Sequence, residues 1–156
     1  MGSVADISLV LALLTTGLMS GLYLTFSISV LPGIARTDDS TFVAAMRGMN
    51  VAILNPAFAI IFGGPLVLDI VAVASRLPDG SVVSGGIGWI LTALVLYIAT
   101  LVITGVVNVP LNNRLDTTEP PEAARALFER AWVRWNVVRS VVCTASFVSL
   151  TLALLS

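Results

Sequence analysis

Histidine and lysine are absent from this chain of 156 residues, and Cys143 is its only cysteine. The lack of histidine removes the commonest metal ligand and the usual general base of enzymes. A single cysteine cannot form an internal disulfide, which excludes a thiol–disulfide exchange enzyme that works with its own cysteine pair. We therefore expect neither a metal site nor another cofactor.

Charge is also scarce. Charged residues make up 11% of the chain and hydrophobic residues 57%, against about 25% and about 45–50% in soluble domains. The net charge of −1 offers no basic face for nucleic acid, so we exclude nucleic-acid binding. The composition predicts a protein whose surroundings are the lipid bilayer.

Four long stretches carry no Asp, Glu, Lys or Arg: residues 7–35, 48–68, 80–113 and 140–156. A membrane-spanning helix needs about 20 mostly apolar residues. The sequence thus predicts an all-α fold, a transmembrane four-helix bundle formed by one integral membrane domain over residues 1–156. The predicted spans are about 7–31, 50–75, 87–107 and 135–156, and the charged segment before the last span predicts a cytoplasmic extension of the last helix.

Turn and cap residues predict where these helices begin and end. Leu31-Pro-Gly33 is expected to close the first helix, and the polar segment from Thr37 to Asn50 to form an interfacial helix that continues straight into the second span. Residues 76–80 and 85–86 are typical of an ordinary turn. Thr118 is expected to cap the last helix, with Pro120 in its first turn.

The arginines indicate an orientation. Seven of the eight lie in the first and third connections or beside them, and only Arg76 lies on the opposite side. Because cytoplasmic loops are enriched in Lys and Arg, we expect a multi-pass protein of the cell membrane with both termini outside the cytoplasm.

Polar side chains recur where three of the spans meet the arginine-rich side. Arg139 is followed by 17 residues (140–156), or ~25 Å of helix, so it lies near the inner edge of the membrane. A carboxamide below the interface costs free energy unless it is hydrogen-bonded. We expect one shallow cavity there, lined by Asn50, Asn55, Asn108, Asn112, Arg114, Trp135, Asn136 and Arg139, with Trp132 on the same helix face as Asn136 and Arg139.

Two structural alternatives stay open. Trp132 and Trp135 are also typical of the aromatic belt at a membrane interface, and Arg139 can extend its guanidinium to lipid headgroups. Asp69 is excluded from the site, because its position in the second span places it at the opposite membrane face near Arg76.

Several strings together resemble the anthrone oxygenase-like family of small membrane proteins. They are Gly21-Leu-Tyr-Leu-Thr-Phe-Ser27, Leu31-Pro-Gly33, Met49-Asn50, Asn55-Pro-Ala-Phe58, Asn108-Val-Pro-Leu-Asn-Asn-Arg-Leu115 and Trp132-Val-Arg-Trp-Asn-Val-Val-Arg139. The resemblance implies a four-helix membrane protein. Some fungal members oxidise an anthrone to an anthraquinone with dioxygen and no known metal or flavin, whereas many bacterial relatives have no established activity.

That resemblance suggests a mechanism for the predicted cavity. An anthrone that loses a methylene proton becomes an electron-rich anion, which can transfer an electron to dioxygen directly. Arg139 and Arg114 would stabilise its oxyanion, while Asn136, Asn112, Asn108 and Asn55 would supply oriented amides and Trp132 or Trp135 would flank the rings. The base stays open among Glu129, Asp116, Asp38 and water.

The expected partners are a hydrophobic aromatic small molecule, dioxygen and the lipid bilayer, with a homo-oligomer or a membrane-protein partner left open. Two other functions also stay open. One is a non-enzymatic membrane subunit whose interior polar groups serve helix packing. The other is a small carrier or binding protein for a hydrophobic compound.

Overall fold

The computed structural model describes residues 4–76 and 86–156, and within these ranges the chain is helical without a strand. Its five helices are α1 Val4–Ile34, α2 Asp39–Ala52, α3 Pro56–Ala74, α4 Gly86–Thr117 and α5 Pro121–Leu155. All except α2 are long and apolar enough to cross a membrane. The protein is thus a multi-pass membrane protein with an all-α bundle fold. Most of the predicted second turn, residues 77–85, lies outside the described residues.

Two helices continue past the points where the sequence predicts that they end. A wide π-helical turn spans Phe26–Val30 in α1 and another spans Thr104–Asn108 in α4. Each is followed by a proline, Pro32 or Pro110, whose ring would clash with the carbonyl four residues earlier in a regular α-helix. The wide turn accommodates the proline, so α1 continues to Ile34, three residues past the predicted Leu31, and α4 continues to Thr117, ten residues past the predicted Val107.

The predicted continuous helix through Asn50 and Asn55 is also wrong, because α2 ends at Ala52 and α3 begins at Pro56. The α-helical conformation is disfavoured at a residue that precedes proline, because of a clash with the proline ring. Asn55, which precedes Pro56, is accordingly extended, with φ −134° and ψ 162°. Its side-chain oxygen accepts a hydrogen bond from the Phe58 backbone N–H at 3.0 Å. Asn55 is therefore the N-cap of α3.

The last helix begins two residues later than the caps predict. Pro120 occupies the extended position before α5 and Pro121 its first turn, so the expected cap at Thr118 is wrong. The Thr118 hydroxyl instead donates to the Arg114 carbonyl at 2.7 Å and closes the end of α4.

Small residues allow α1 and α5 to approach closely in the apolar part of the bundle. A Cβ atom on Gly17 would lie 3.0 Å from the Phe147 ring, and the Ser20 and Thr144 hydroxyls are hydrogen-bonded at 2.7 Å. Ser146 donates to the Ala93 carbonyl at 2.9 Å, which ties α5 to α4. These contacts fix the helices whose inward faces carry the polar residues described below.

Arginine side chains close one end of the bundle, which we call the arginine-rich end. Arg47 on α2 donates to the carbonyls of Leu115 and Thr118 and pairs with Glu119 at 2.9 Å. Arg125 on α5 donates to the carbonyls of Ala35 at 2.8 Å and Thr37 at 2.9 Å. The first and third connections therefore meet at the same end. Arg76 instead donates to the Ala5 and Ala72 carbonyls at the opposite end.

Candidate functional site

A cavity of about 330 Å³ opens at the arginine-rich end of the bundle, between α1, the α2–α3 junction, α4 and α5. Ligand pockets usually measure about 300–1,000 Å³, so this one suits a small, compact molecule. Six of the nine predicted site residues line it: Asn50, Asn108, Asn112, Trp132, Asn136 and Arg139.

Arg139 lies in the wall of the cavity and is only 6% exposed. It precedes the end of α5 by 16 residues (139 to 155), or ~24 Å of helix, which places it inside the membrane edge. Its guanidinium stacks 4.3 Å from the centroid of the Tyr23 ring and 5.5 Å from that of the Trp132 ring. Arg139 takes part in none of the ion pairs among residues 4–76 and 86–156. A buried positive charge therefore borders the cavity without a carboxylate partner.

Neutral groups hold this guanidinium in place. Nη2 donates to the Asn136 side-chain oxygen at 2.8 Å, and Nη1 donates to the Thr104 hydroxyl at 3.2 Å. The Asn136 amide nitrogen in turn donates to the Tyr23 carbonyl at 3.1 Å and to the Ser27 hydroxyl at 2.8 Å. Arg139 is thus fixed between α1 and α4 by neutral hydrogen-bond partners.

The side-chain amides on the cavity wall differ in whether they have hydrogen-bond partners within the protein. Asn112 accepts a hydrogen bond from the Trp132 indole N–H at 2.8 Å. Asn108 is 1% exposed, and neither atom of its amide has a hydrogen-bond partner within the described ranges. The Asn50 amide nitrogen is also buried without such a partner. Since buried polar groups are nearly always hydrogen-bonded, these two amides are suited to bind a ligand or water.

Aromatic and aliphatic side chains form the remaining walls. Phe58 and Phe62 stack with ring centroids 5.1 Å apart, and Phe26 packs at 6.0 Å from Trp132. Two aliphatic residues at the rim, Val51 and Leu54, are 73% and 79% exposed. The cavity can accordingly hold an apolar ring system against one cation and several amides.

Three predicted site residues do not line the cavity. Asn55 uses both amide atoms for the α2–α3 junction, with its nitrogen donating to the Ala52 carbonyl at 2.9 Å. Arg114 is exposed: it follows Asn112 by two residues, which turns it about 200° to the other face of the helix. Trp135 is half-buried beside the site and does not contribute to its lining.

Other residues complete the site but stand out little in the sequence. Tyr23, Ser27 and Thr104 support Arg139 and Asn136, and each lies within or just before one of the two π-helical turns. Such turns are frequent at functional sites, so a proline a few residues after a polar position inside a span would have been a usable signal: Pro32 follows Ser27 by five residues, and Pro110 follows Thr104 by six. Asp116, one of the open candidates for the base, lies at the cavity mouth.

Acidic residues elsewhere do not form a metal site. Within residues 4–76 and 86–156, no three His, Cys, Asp or Glu side chains are grouped closely enough to hold a metal ion. Asp69 is fully buried in α3, away from the cavity, and its carboxylate oxygens have no hydrogen-bond partner in that part of the chain.

Comparison with known protein families identifies the family of this chain. The family model described as anthrone oxygenase matches residues 52–149, which is more than half of the chain and includes most of the cavity lining. No curated protein and no solved structure matches the chain significantly. The chain belongs to the anthrone oxygenase family.

Proposed function

We propose that this member of the anthrone oxygenase family binds a flat, hydrophobic aromatic molecule in the cavity and oxidises it with dioxygen. The substrate is an anthrone or a similar polycyclic hydroquinone that ionises to an oxyanion. The arginine-rich end faces the cytoplasm, both termini lie outside it and the protein resides in the cell membrane. The arginine count on the two sides supports this orientation.

The buried, unpaired guanidinium of Arg139 is the observation that carries the proposal. A charge within the membrane region is costly and is usually balanced by an opposite charge or used in function. The hydrogen-bond partners of Arg139 are neutral, namely Asn136 and Thr104. An anionic ligand in the cavity would supply the missing negative charge, while Trp132 and Phe26 would contact its rings.

The reaction follows from the chemistry of such an anion. The C–H bond of the methylene breaks, its proton leaves and the electron pair is delocalised onto the oxygen that Arg139 stabilises. One electron passes to dioxygen, and the radical pair combines to form a C–O bond and a peroxide. The peroxide gains a proton, and loss of water cleaves the O–O bond and the second C–H bond. In sum, one anthrone and one dioxygen give one anthraquinone and one water.

Each of the following cavity residues would serve one step of this reaction. Asn136 orients Arg139, and the unpaired amide of Asn108 is available to the substrate oxygen or to a bound water. The Asn112 hydrogen bond fixes the Trp132 ring as a flat wall. Since the electrons come from the substrate anion itself, the proposal needs no redox cofactor.

A binding protein for a hydrophobic small molecule is the second candidate, because the same cavity would retain such a ligand without reaction. A subunit that uses these polar groups only for helix packing is less well supported, since a packed interior would leave no cavity between Asn50, Asn108 and Arg139.

Oxygen uptake by purified protein in lipid vesicles, with an anthrone as substrate, tests the proposal. The spontaneous oxidation in empty vesicles is subtracted. We expect the wild type to consume one dioxygen per anthrone, Arg139→Gln to lose at least tenfold in rate and Arg134→Gln, an exposed arginine of the same helix, to match the wild type. Binding of the anthraquinone product without uptake would favour the second candidate. Equal rates for wild type and Arg139→Gln would contradict the role of Arg139, and a wild-type rate no higher than that of empty vesicles would contradict the oxidation.

A further inference from the structure

One wall of the cavity carries a polar residue at every fourth position. Thr104, Asn108, Asn112 and Asp116 all lie on α4 and all line the cavity. Side chains four residues apart lie on one face of a helix, so these four form a single file. The file begins at Thr104, which accepts a hydrogen bond from Arg139, and ends at Asp116 in the mouth.

The first three members of this file are neutral and differ in their bonding. Thr104 and Asn112 are engaged with Arg139 and Trp132. Asn108, between them, is buried with both amide atoms unpartnered among the described residues. Asn108 and Asp116 are eight positions apart, which corresponds to ~12 Å along the helix. A water bound to Asn108 would therefore stand between the deep end of the cavity and the carboxylate at its mouth.

Asp116 differs from the other described acids at the arginine-rich end in that it lines the cavity and is not held by another side chain. The carboxylate of Glu129 is held by Arg125 at 2.7 Å. The carboxylate of Asp38 accepts hydrogen bonds from the backbone N–H and the hydroxyl of Thr41. The acids that remain at this end also lie off the cavity lining, with Asp39 paired to Arg125, Glu119 paired to Arg47 and Glu122 exposed.

Asp116 itself has neither an ion pair nor a side-chain hydrogen bond in the described part of the chain. It is the one Asp or Glu among the cavity-lining residues that the structure describes. Of the three carboxylates that the sequence leaves open as the base, the structure thus brings Asp116 alone to the cavity.

We propose that Asp116 accepts the proton that the substrate loses on ionisation, an inference that rests on the proposed oxidation. The methylene C–H bond breaks, its electron pair stays on the substrate and is stabilised by Arg139, and the proton passes through water near Asn108 to an oxygen of Asp116. The neutral carboxylic acid then returns the proton to the peroxide or releases it to bulk water at the mouth. A carboxylate suffices as acceptor because Arg139 lowers the free energy of the anion.

The test compares four variants with the wild type in the oxygen-uptake assay, using an anthrone with hydrogen and one with deuterium at the methylene. Asp116→Asn removes the acceptor, and Asp116→Glu keeps it. Asp116→Asn combined with Asn113→Asp returns a carboxylate to a neighbouring position that also lines the mouth. Glu122→Gln removes an exposed acid outside the cavity and serves as the matched control.

We expect Asp116→Asn to lose at least tenfold in rate, to show a larger deuterium isotope effect than the wild type and to recover activity when formate or imidazole is added. Asp116→Glu and the relocated carboxylate should restore a substantial part of the rate, and Glu122→Gln should equal the wild type. Retained affinity of Asp116→Asn for the anthraquinone would show that the cavity is intact.

Each other outcome has a definite meaning. An active wild type with an equally active Asp116→Asn variant would overturn the role of Asp116 and leave the oxidation standing. An inactive Asp116→Asn variant with no change in isotope effect, no rescue by added base and no product binding would reduce Asp116 to a structural residue. A wild type without oxygen uptake would overturn the oxidation and this inference together.

Discussion

Arg139 donates through Nη2 to the side-chain oxygen of Asn136 at 2.8 Å, one helical turn earlier on α5. The amide nitrogen of that asparagine reaches across to the Tyr23 carbonyl and the Ser27 hydroxyl on α1. One side chain thereby links the buried cation to the neighbouring helix. The position of the charge depends on this link, and under the proposed function the affinity of the cavity for an anion depends on it as well.

Replacing Asn136 should therefore affect stability and anion binding separately. Asn136→Ala leaves a buried guanidinium N–H without its acceptor and removes one donor from the Tyr23 carbonyl, which keeps the Ser27 hydroxyl; this should cost about 1–3 kcal/mol in the free energy of unfolding. Asn136→Asp places a carboxylate beside Arg139 and cancels its charge. Thermal unfolding in detergent and titration with an aromatic phenolate measure the two effects. We expect Asn136→Asp to bind the phenolate more weakly than Asn136→Ala, and the reverse order would contradict a charge-based site.

Arg125 should be the main anchor between α5 and the α1–α2 connection. It donates to the carbonyls of Ala35 and Thr37 and pairs with Asp39 and Glu129. The Glu129 hydrogen bond is the leading cause that raises the pKa of Arg125. Arg125→Ala should lower the free energy of unfolding by about 2 kcal/mol, because two half-buried carbonyls lose a charged donor. Arg130→Ala, an exposed control on the same helix, should leave the thermal transition nearly unchanged.

Asp38 should make the start of α2 sensitive to acid. The backbone N–H and the hydroxyl of Thr41 donate to its carboxylate, which lowers its pKa from the ordinary value of 3.8. A carboxyl whose pKa is lowered on folding stabilises the folded state above its unfolded pKa, and this contribution is lost as the pH falls through the folded pKa. Asp38→Asn keeps a capping oxygen without this titration.

Thermal unfolding of both proteins between about pH 5 and about pH 2 measures this contribution. The difference in stability between wild type and Asp38→Asn should shrink as the pH falls. A difference that stays constant over the whole range would show that the Asp38 carboxylate does not act as a titrating cap.

The exposed aliphatic rim should be the entrance for a ligand dissolved in the bilayer. Leu54 lies in the α2–α3 junction at the start of the membrane span, and it is 79% exposed although it lines the cavity. Leu54→Trp should narrow the opening and slow the association of an aromatic ligand severalfold, with less effect on its equilibrium affinity. Stopped-flow fluorescence measures the rate. Val141→Trp, at an exposed position outside this cavity, serves as the control, and equal slowing in both variants would indicate a general effect on the membrane.

The sequence predicts the number of membrane-spanning helices and the all-α class well, because uncharged stretches of membrane length leave few alternatives. It predicts their ends less well. From the sequence, Leu31-Pro-Gly33 is expected to end a helix and the third span to end at Val107, whereas wide π-helical turns before Pro32 and Pro110 let both helices continue. Asn55, read as part of a continuous span, caps a new helix. A proline is compatible with either a helix end or a wide turn that continues the helix. Contacts with neighbouring helices determine which of the two forms.

The candidate site shows the same limit. Helical spacing places Trp132, Asn136 and Arg139 on one face, and the structure gathers them in the cavity. Helical spacing also shows that Arg114 points away from Asn112. The prediction places Arg114 in the cavity because of its depth along the helix and does not take its direction into account. The support that Tyr23 gives to Arg139 depends on how α1 packs against α5, and no pattern within one segment contains that information.

The most direct measurement of the central claim is an experimental structure of the protein with an anthraquinone bound. The account predicts ring density between Trp132, Phe26 and Phe58, with one carbonyl oxygen within hydrogen-bond distance of Arg139 and the opposite edge toward Asp116. A ligand bound elsewhere, or one whose oxygens point away from Arg139 into lipid, would contradict it.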